Sequence, residues 1–139
     1  MTWRCDSSRH PDPKARAAQQ RRHNETVHAL AGACEQRDPA LIARILAADV
    51  ELVIDSGDAV SPLAQRAEGA RASSDLMVQI LEQYSPLALD EHPVNGAPGI
   101  LLRQEGILVG VLSAGMQRDT ISHIWVVLNP DKLVRFDLD

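Results

Sequence analysis

Apolar positions recur along this chain at two different spacings, and the change from one to the other divides it. Val27, Leu30, Ala31 and Cys34 stand at i, i+3, i+4 and i+7, the stripe of one helix face. Asp12-Pro13 upstream is a start signal, with Asp as N-cap and Pro at the first helical position. The pattern therefore predicts a helix over 13–36 whose first half, Lys14 to Arg22, forms helix well but offers little to pack. Asp38-Pro39 repeats the start signal, and Leu41, Ile42, Ile45 and Leu46 give a second helix over 39–48. A link this short predicts an angled helical hairpin. Leu76, Met77, Ile80, Leu81 and Tyr84 mark a third helix over 73–84, with Ser73 or Ser74 as its cap and Ser85-Pro86 as its stop.

Elsewhere the spacing is that of strands. Glu51–Asp55 is a first strand, followed by the turn Asp55-Ser56-Gly57-Asp58 and a short edge candidate over 59–63, which Pro62 demotes. Leu87–Asn95 alternates imperfectly around Pro93 and predicts a bent or bulged strand. Gly99–Gln104, Ile107–Gly115 and Thr120–Leu128 follow, joined by turns so short that the strands must form antiparallel hairpins. Helices followed by a curved antiparallel sheet, with one helix inserted after the first strand, make an α+β domain packed on three helices. Residues 1–12 are polar and without period, a leader to a single domain over 13–139.

The stretch from Val94 to Leu133 is the most apolar, and its strands are apolar on both sides. By alternation one face of the 107–114 strand carries Ile107, Val109, Val111 and Ser113, and the other Leu108, Gly110, Leu112 and Ala114. Along 121–128, Ile121, His123, Trp125 and Val127 share a face, opposite Ser122, Ile124, Val126 and Leu128. A sheet with one solvated face shows polar residues there; here neither face does. The helices cover one. The other is expected to meet a second copy or another protein, unless the N-terminal helix wraps back over it.

Composition narrows the classes. The 139 residues suffice for a core without disulfide or metal staples, and with 45% apolar residues but four aromatics (Trp3, Tyr84, Trp125, Phe136) that core must be aliphatic. A net charge of −5 argues against direct nucleic-acid binding through phosphates. The charge is uneven: residues 1–37 carry seven Lys/Arg against four acids, the remainder seven against fifteen. Two cysteines, Cys5 and Cys34, make no disulfide framework and suit a reducing cytoplasm. No apolar run is long enough for a signal peptide or a membrane span.

Val94-Asn95-Gly96-Ala97-Pro98-Gly99, a two-stranded hairpin, and then Asn129-Pro130-Asp131-Lys132-Leu133 together resemble one group. This is the C-terminal SnoaL-like domain attached to certain extracytoplasmic-function sigma factors of actinobacteria, similar over about residues 22–136. The resemblance implies a nuclear-transport-factor-like fold, a cone of curved sheet wrapped on three helices with a pocket at its open end. It implies regulation of sigma-factor-dependent transcription through contacts with the sigma core and its linker. Proteins of the same fold include polyketide cyclases, ketosteroid isomerases and epoxide hydrolases, often as dimers. The chain departs from the group at Asp55-Ser56-Gly57-Asp58, which keeps one glycine of three, and at Pro93, where an aromatic is usual.

A cone enzyme needs an acid/base group inside an apolar cavity. The candidates are Asp55 and His123 as proton carriers, with Tyr84, His92, Asn95, Ser113 and Trp125 lining a pocket or an interface. Each has a plainer reading. Asp55 is also a turn former, His123 an interface histidine, Tyr84 a boundary residue, and His92 an exposed residue at a bulge. Asn129, Pro130, Asp131, Lys132 and Leu133 read as a C-terminal lock in which Leu133 plugs the core. No glycine-rich phosphate loop and no metal-ligand spacing is present, since His23 and His28 are five apart on different helical faces, so no cofactor is expected. With no catalytic constellation complete, the expected function is a module for a small apolar ligand or a protein partner. The alternative is a small cyclase, isomerase or hydrolase acting on an apolar substrate.

Overall fold

The computed structural model describes residues 13–56, 66–94, 97–128 and 133. In chain order the elements are α1 (Pro13–Gln36), α2 (Pro39–Ile45), β1 (Leu46–Asp55), β2 (Arg66–Glu68), α3 (Ala70–Gln83), β3 (Ala88–Val94), β4 (Ala97–Gln104), β5 (Ile107–Gln117) and β6 (Thr120–Val127). The strands form one curved, unclosed sheet in the order β2-β1-β6-β5-β4-β3, with the three helices packed on it. This is the expected α+β cone. The leader over 1–12, the strand expected over 59–63, and Asn95 and Asn129 to Lys132 lie outside the described residues.

Most pairings are the antiparallel hairpins that the short turns dictate. One is not: β1 lies parallel to β6, with Leu52 beside Ile124 and Ile54 beside Val126. That seam also corrects the second helix. Asp38 caps α2, accepting from the Ala40 amide at 3.0 Å, but the helix ends at Ile45 rather than 48. Leu46 takes an extended conformation and pairs with Ile121, so sheet pairing overrides the helix propensity of Leu46 to Ala48. Arg66–Glu68 runs antiparallel to β1 at the edge of the sheet.

The third helix begins earlier than expected. Gly69, at φ 90, precedes Ala70, and Ser73 and Ser74 are buried within the helix rather than capping it. Ser74 donates to the Arg71 carbonyl at 3.0 Å.

The inner face of the sheet holds the main core. Ile100, Leu102, Leu112, Ala114, Ile124 and Val126 pack against Val27, Leu30, Cys34, Leu76, Met77 and Ile80 of the helices. Alternation holds in mid-strand and fails at two bulges, where an extra residue shifts the register. One lies between Leu102 and Arg103 and turns Val109 inward and Leu108 outward. The other lies between Gly115 and Met116 and sends Ile121 into the core, away from His123 and Trp125. Helix α1 joins the inner core, so it does not wrap the outer face.

Candidate functional site

Two places could carry function, the interior of the cone and the outer face of the sheet. The interior is bounded by Cys34, Met77, Leu81, Leu89, Ile100 and Leu112, among others, all apolar. The space left between them is about 10 Å³, scarcely room for one water. Burial, with Glu35 adding to it, pushes the Cys34 thiol up to about 12, so it stays protonated and unreactive. The aliphatic core that composition demanded has filled the cone.

None of the sequence-predicted site residues lines that space. Asp55 ends β1, half-buried and opposite Val127, and its carbonyl accepts from the Leu128 amide at 2.7 Å. Tyr84 closes α3 and packs at the core boundary, its carbonyl accepting from Gln104 Nε2 at 2.9 Å. His92 lies across the cone wall in a groove of about 350 Å³ between α1 and β3–β4, beside Gln20, Asn24 and Glu91. Its Nδ1 donates to the Pro93 carbonyl at 2.9 Å. Nearby, His28 Nδ1 meets Glu91 Oε2 at 2.7 Å and ties α1 to β3.

Ser113, His123 and Trp125 come together on the outer face. Trp125 sits opposite Ser113 and His123 opposite Gly115. The two rings are stacked, with centroids 5.4 Å apart and planes 8° from parallel. Gly115 leaves room for the stack, because a Cβ there would come within 3.3 Å of the Trp125 ring. Trp125 remains 44% exposed, although Trp is highly buried on average. Its surroundings are charged. His123 Nε2 is 3.9 Å from Glu51 Oε1, and Glu51 also pairs with Arg66. Hydrogen bonding to Glu51, then its charge, holds the Arg66 guanidinium above its ordinary value. Ser122 Oγ lies 3.2 Å from His123 Nδ1.

Glu51 and Arg66 were not among the sequence candidates. Nothing local marks them, because their place beside His123 depends on the parallel β1–β6 seam. The hydropathy pattern did mark a second part of this face. Val94, Leu101, Val111 and Leu133 form a buried cluster, with Leu108 and Val127 packed against it. Leu133, expected to plug the core, packs instead into this separate patch on the outer face of the sheet. Among the described residues, no three His, Cys, Asp or Glu side chains are placed to hold a metal ion. No described helix is long and apolar enough to cross a membrane.

No family model and no curated protein matches the chain. Its fold is found among solved structures. It is similar to the extracytoplasmic function sigma factor SigJ of Mycobacterium tuberculosis at 20% identity and TM-score 0.63, covering 86% of this chain and 46% of that one. The chain therefore spans less than half of the sigma factor. An NTF2-like protein of unknown function from Mesorhizobium loti matches at 18% identity and TM-score 0.57, covering 86% and 97%. A SnoaL-like protein of unknown function from Burkholderia thailandensis matches at 14% and 0.57, covering 77% and 93%. At these identities the likeness establishes the SnoaL-like, NTF2-like fold.

Proposed function

We propose that the chain is a protein-interaction module whose working surface is the outer sheet face around Trp125, and that a second copy of the chain occupies it. The observation that carries this is the contrast between a cone filled with aliphatic side chains and an exposed, ordered Trp125–His123 stack on the opposite face. A two-fold contact needs a patch that complements itself. This one has an aromatic centre with both signs of charge beside it, Arg66 next to Glu51 and Glu68. Aromatic anchors of this kind dominate the energy of interfaces. The likeness to SigJ supports placing the module in sigma-factor-dependent transcription.

Sedimentation velocity across about 1–100 μM tests the pairing, a range set by ordinary homodimer affinities. The expected result is a monomer–dimer equilibrium that Trp125→Ser shifts to monomer. A wild-type chain that stays monomeric throughout would overturn it. For the transcriptional role, the chain is added to in vitro transcription driven by SigJ. A change in transcript yield that Trp125→Ser abolishes supports it, and an unchanged yield counts against it.

A further inference from the structure

A second charged groove lies on the other side of the β5–β6 hairpin, away from the Trp125 surface. Its volume is about 520 Å³. Helix α1 supplies Arg16, Gln19, Gln20 and His23 to one wall, and β5 with its turn supplies Met116 and Arg118 to the other. No carboxylate lines it. In a chain of net charge −5 such a concentration of positive charge is selective. The segregation is sharp, because Gln117, between Met116 and Arg118, faces a pocket lined by Asp49, Glu51 and Glu68.

Three features build the groove. Arg22 Nε pairs with Asp119 Oδ1 at 3.3 Å and pins the hairpin tip to α1, which sets the spacing of the walls. His23 Nε2 donates to the Ala114 carbonyl at 2.9 Å and fixes the helix wall against β5. Arg118 stands at φ 61, a conformation that costs a side chain with a Cβ and that Asn or Gly would take more readily. Arg16 is also badly placed for local stability, since a cation in the first turn of a helix opposes the macrodipole. Among the described residues neither Arg16 nor Arg118 has an ion-pair partner. Two arginines, each in a position that local physics disfavours, thus converge on one groove.

We propose that this groove binds an organic oxyanion. The Arg16 and Arg118 guanidiniums hold its phosphate or carboxylate oxygens, as their forked donors suit. The Gln19 and Gln20 amides supply further donors, and Met116 with Ala17 receives the carbon skeleton. Phosphate and carboxylate share this chemistry, and separate probes distinguish them.

The test is an amide-resolved NMR titration of the full chain at low salt with inorganic phosphate, phenyl phosphate and succinate. Expected is a common set of shifts at Arg16, Gln20, His23, Met116 and Arg118 for phenyl phosphate or succinate, whichever source is right. If phosphate is the source, phenyl phosphate binds about threefold or more tightly than inorganic phosphate, because only it uses the apolar floor. Arg16→Gln and Arg118→Asn each weaken binding by about tenfold. Arg118→Asn at the same time raises the thermal midpoint, so lost binding cannot be lost folding. Arg37→Gln, just past the far end of α1, leaves binding unchanged. No saturable shift with any probe up to about 50 mM overturns the proposal, since that bounds affinity below any useful value. So does equal weakening by Arg37→Gln, which would mean diffuse screening of charge.

Discussion

The two faces of strands β4 to β6 are built from the same few residue types and end in different states. On the inner face, Ile100, Leu112, Ile124 and Val126 meet helices that bring as much apolar surface as the strands do, and the space closes. On the outer face, Leu101 and Val111 are covered at one end by Leu133, while Ser113, His123 and Trp125 at the other keep their access to solvent. Hydropathy alone does not distinguish these outcomes. What distinguishes them is whether the described residues contribute a cover, and the end they leave exposed is where another molecule has something to gain.

Substitutions graded across the two faces test that contrast. Ile124→Ala removes a fully buried side chain from the inner core and should cost the most, about 3–4 kcal/mol in chemical denaturation. A cost below that of any outer-face variant would reverse the ranking. Leu133→Ala uncovers the outer cluster and should cost about 2 kcal/mol, since one face of its pocket can relax. It should also make the chain bind a hydrophobic dye, which Ile124→Ala should not do while folded.

The Cys34 thiol gives a pH-gated effect, absent at neutral pH. Its folded value is about 12 against an ordinary 9.0. Below pH 9 both states hold the proton and stability is unaffected; above it only the unfolded chain releases the proton. Stability should therefore fall by about 1.4 kcal/mol per pH unit from pH 9 towards about 12. Cys34→Ala should lose that slope, and an identical slope in the variant would mean that other groups cause it. Trp125→Ser should have the smallest effect on the isolated chain, within about 0.5 kcal/mol in dilute solution, because the ring is already exposed. Its effect should grow with protein concentration, as loss of a partner contact requires.

Much of the fold was legible because it rests on local rules. Turns such as Glu105-Gly106, found at φ 52 and 81, force hairpins, and the stripe Val27, Leu30, Ala31, Cys34 forces one face of α1 into the core. What could not be read depends on distant partners. The end of α2 was set by Leu46 pairing with Ile121, and the inward turn of Val109 and Ile121 by bulges that leave no mark in composition. The same limit governs the site. The shared face of His123 and Trp125 was readable from their spacing of two, whereas Glu51 and Arg66 joined them only through the seam.

That seam has a bearing on how the chain comes to be folded. Strand β1 finds its inner neighbour only in β6, which follows every other strand of the sheet in chain order. Until then α1, α2, β1 and β2 hold half a core with one long sheet edge open, and β3 to β6 form a meander that can assemble by itself from neighbouring hairpins. The slow step is expected to be the zipping of Leu52 and Ile54 to Ile124 and Val126, which brings together residues about 70 apart in sequence and carries a high entropy of closure. Up to that moment the nascent chain presents an unpaired apolar edge, so its solubility during synthesis rests on the speed of a single late event.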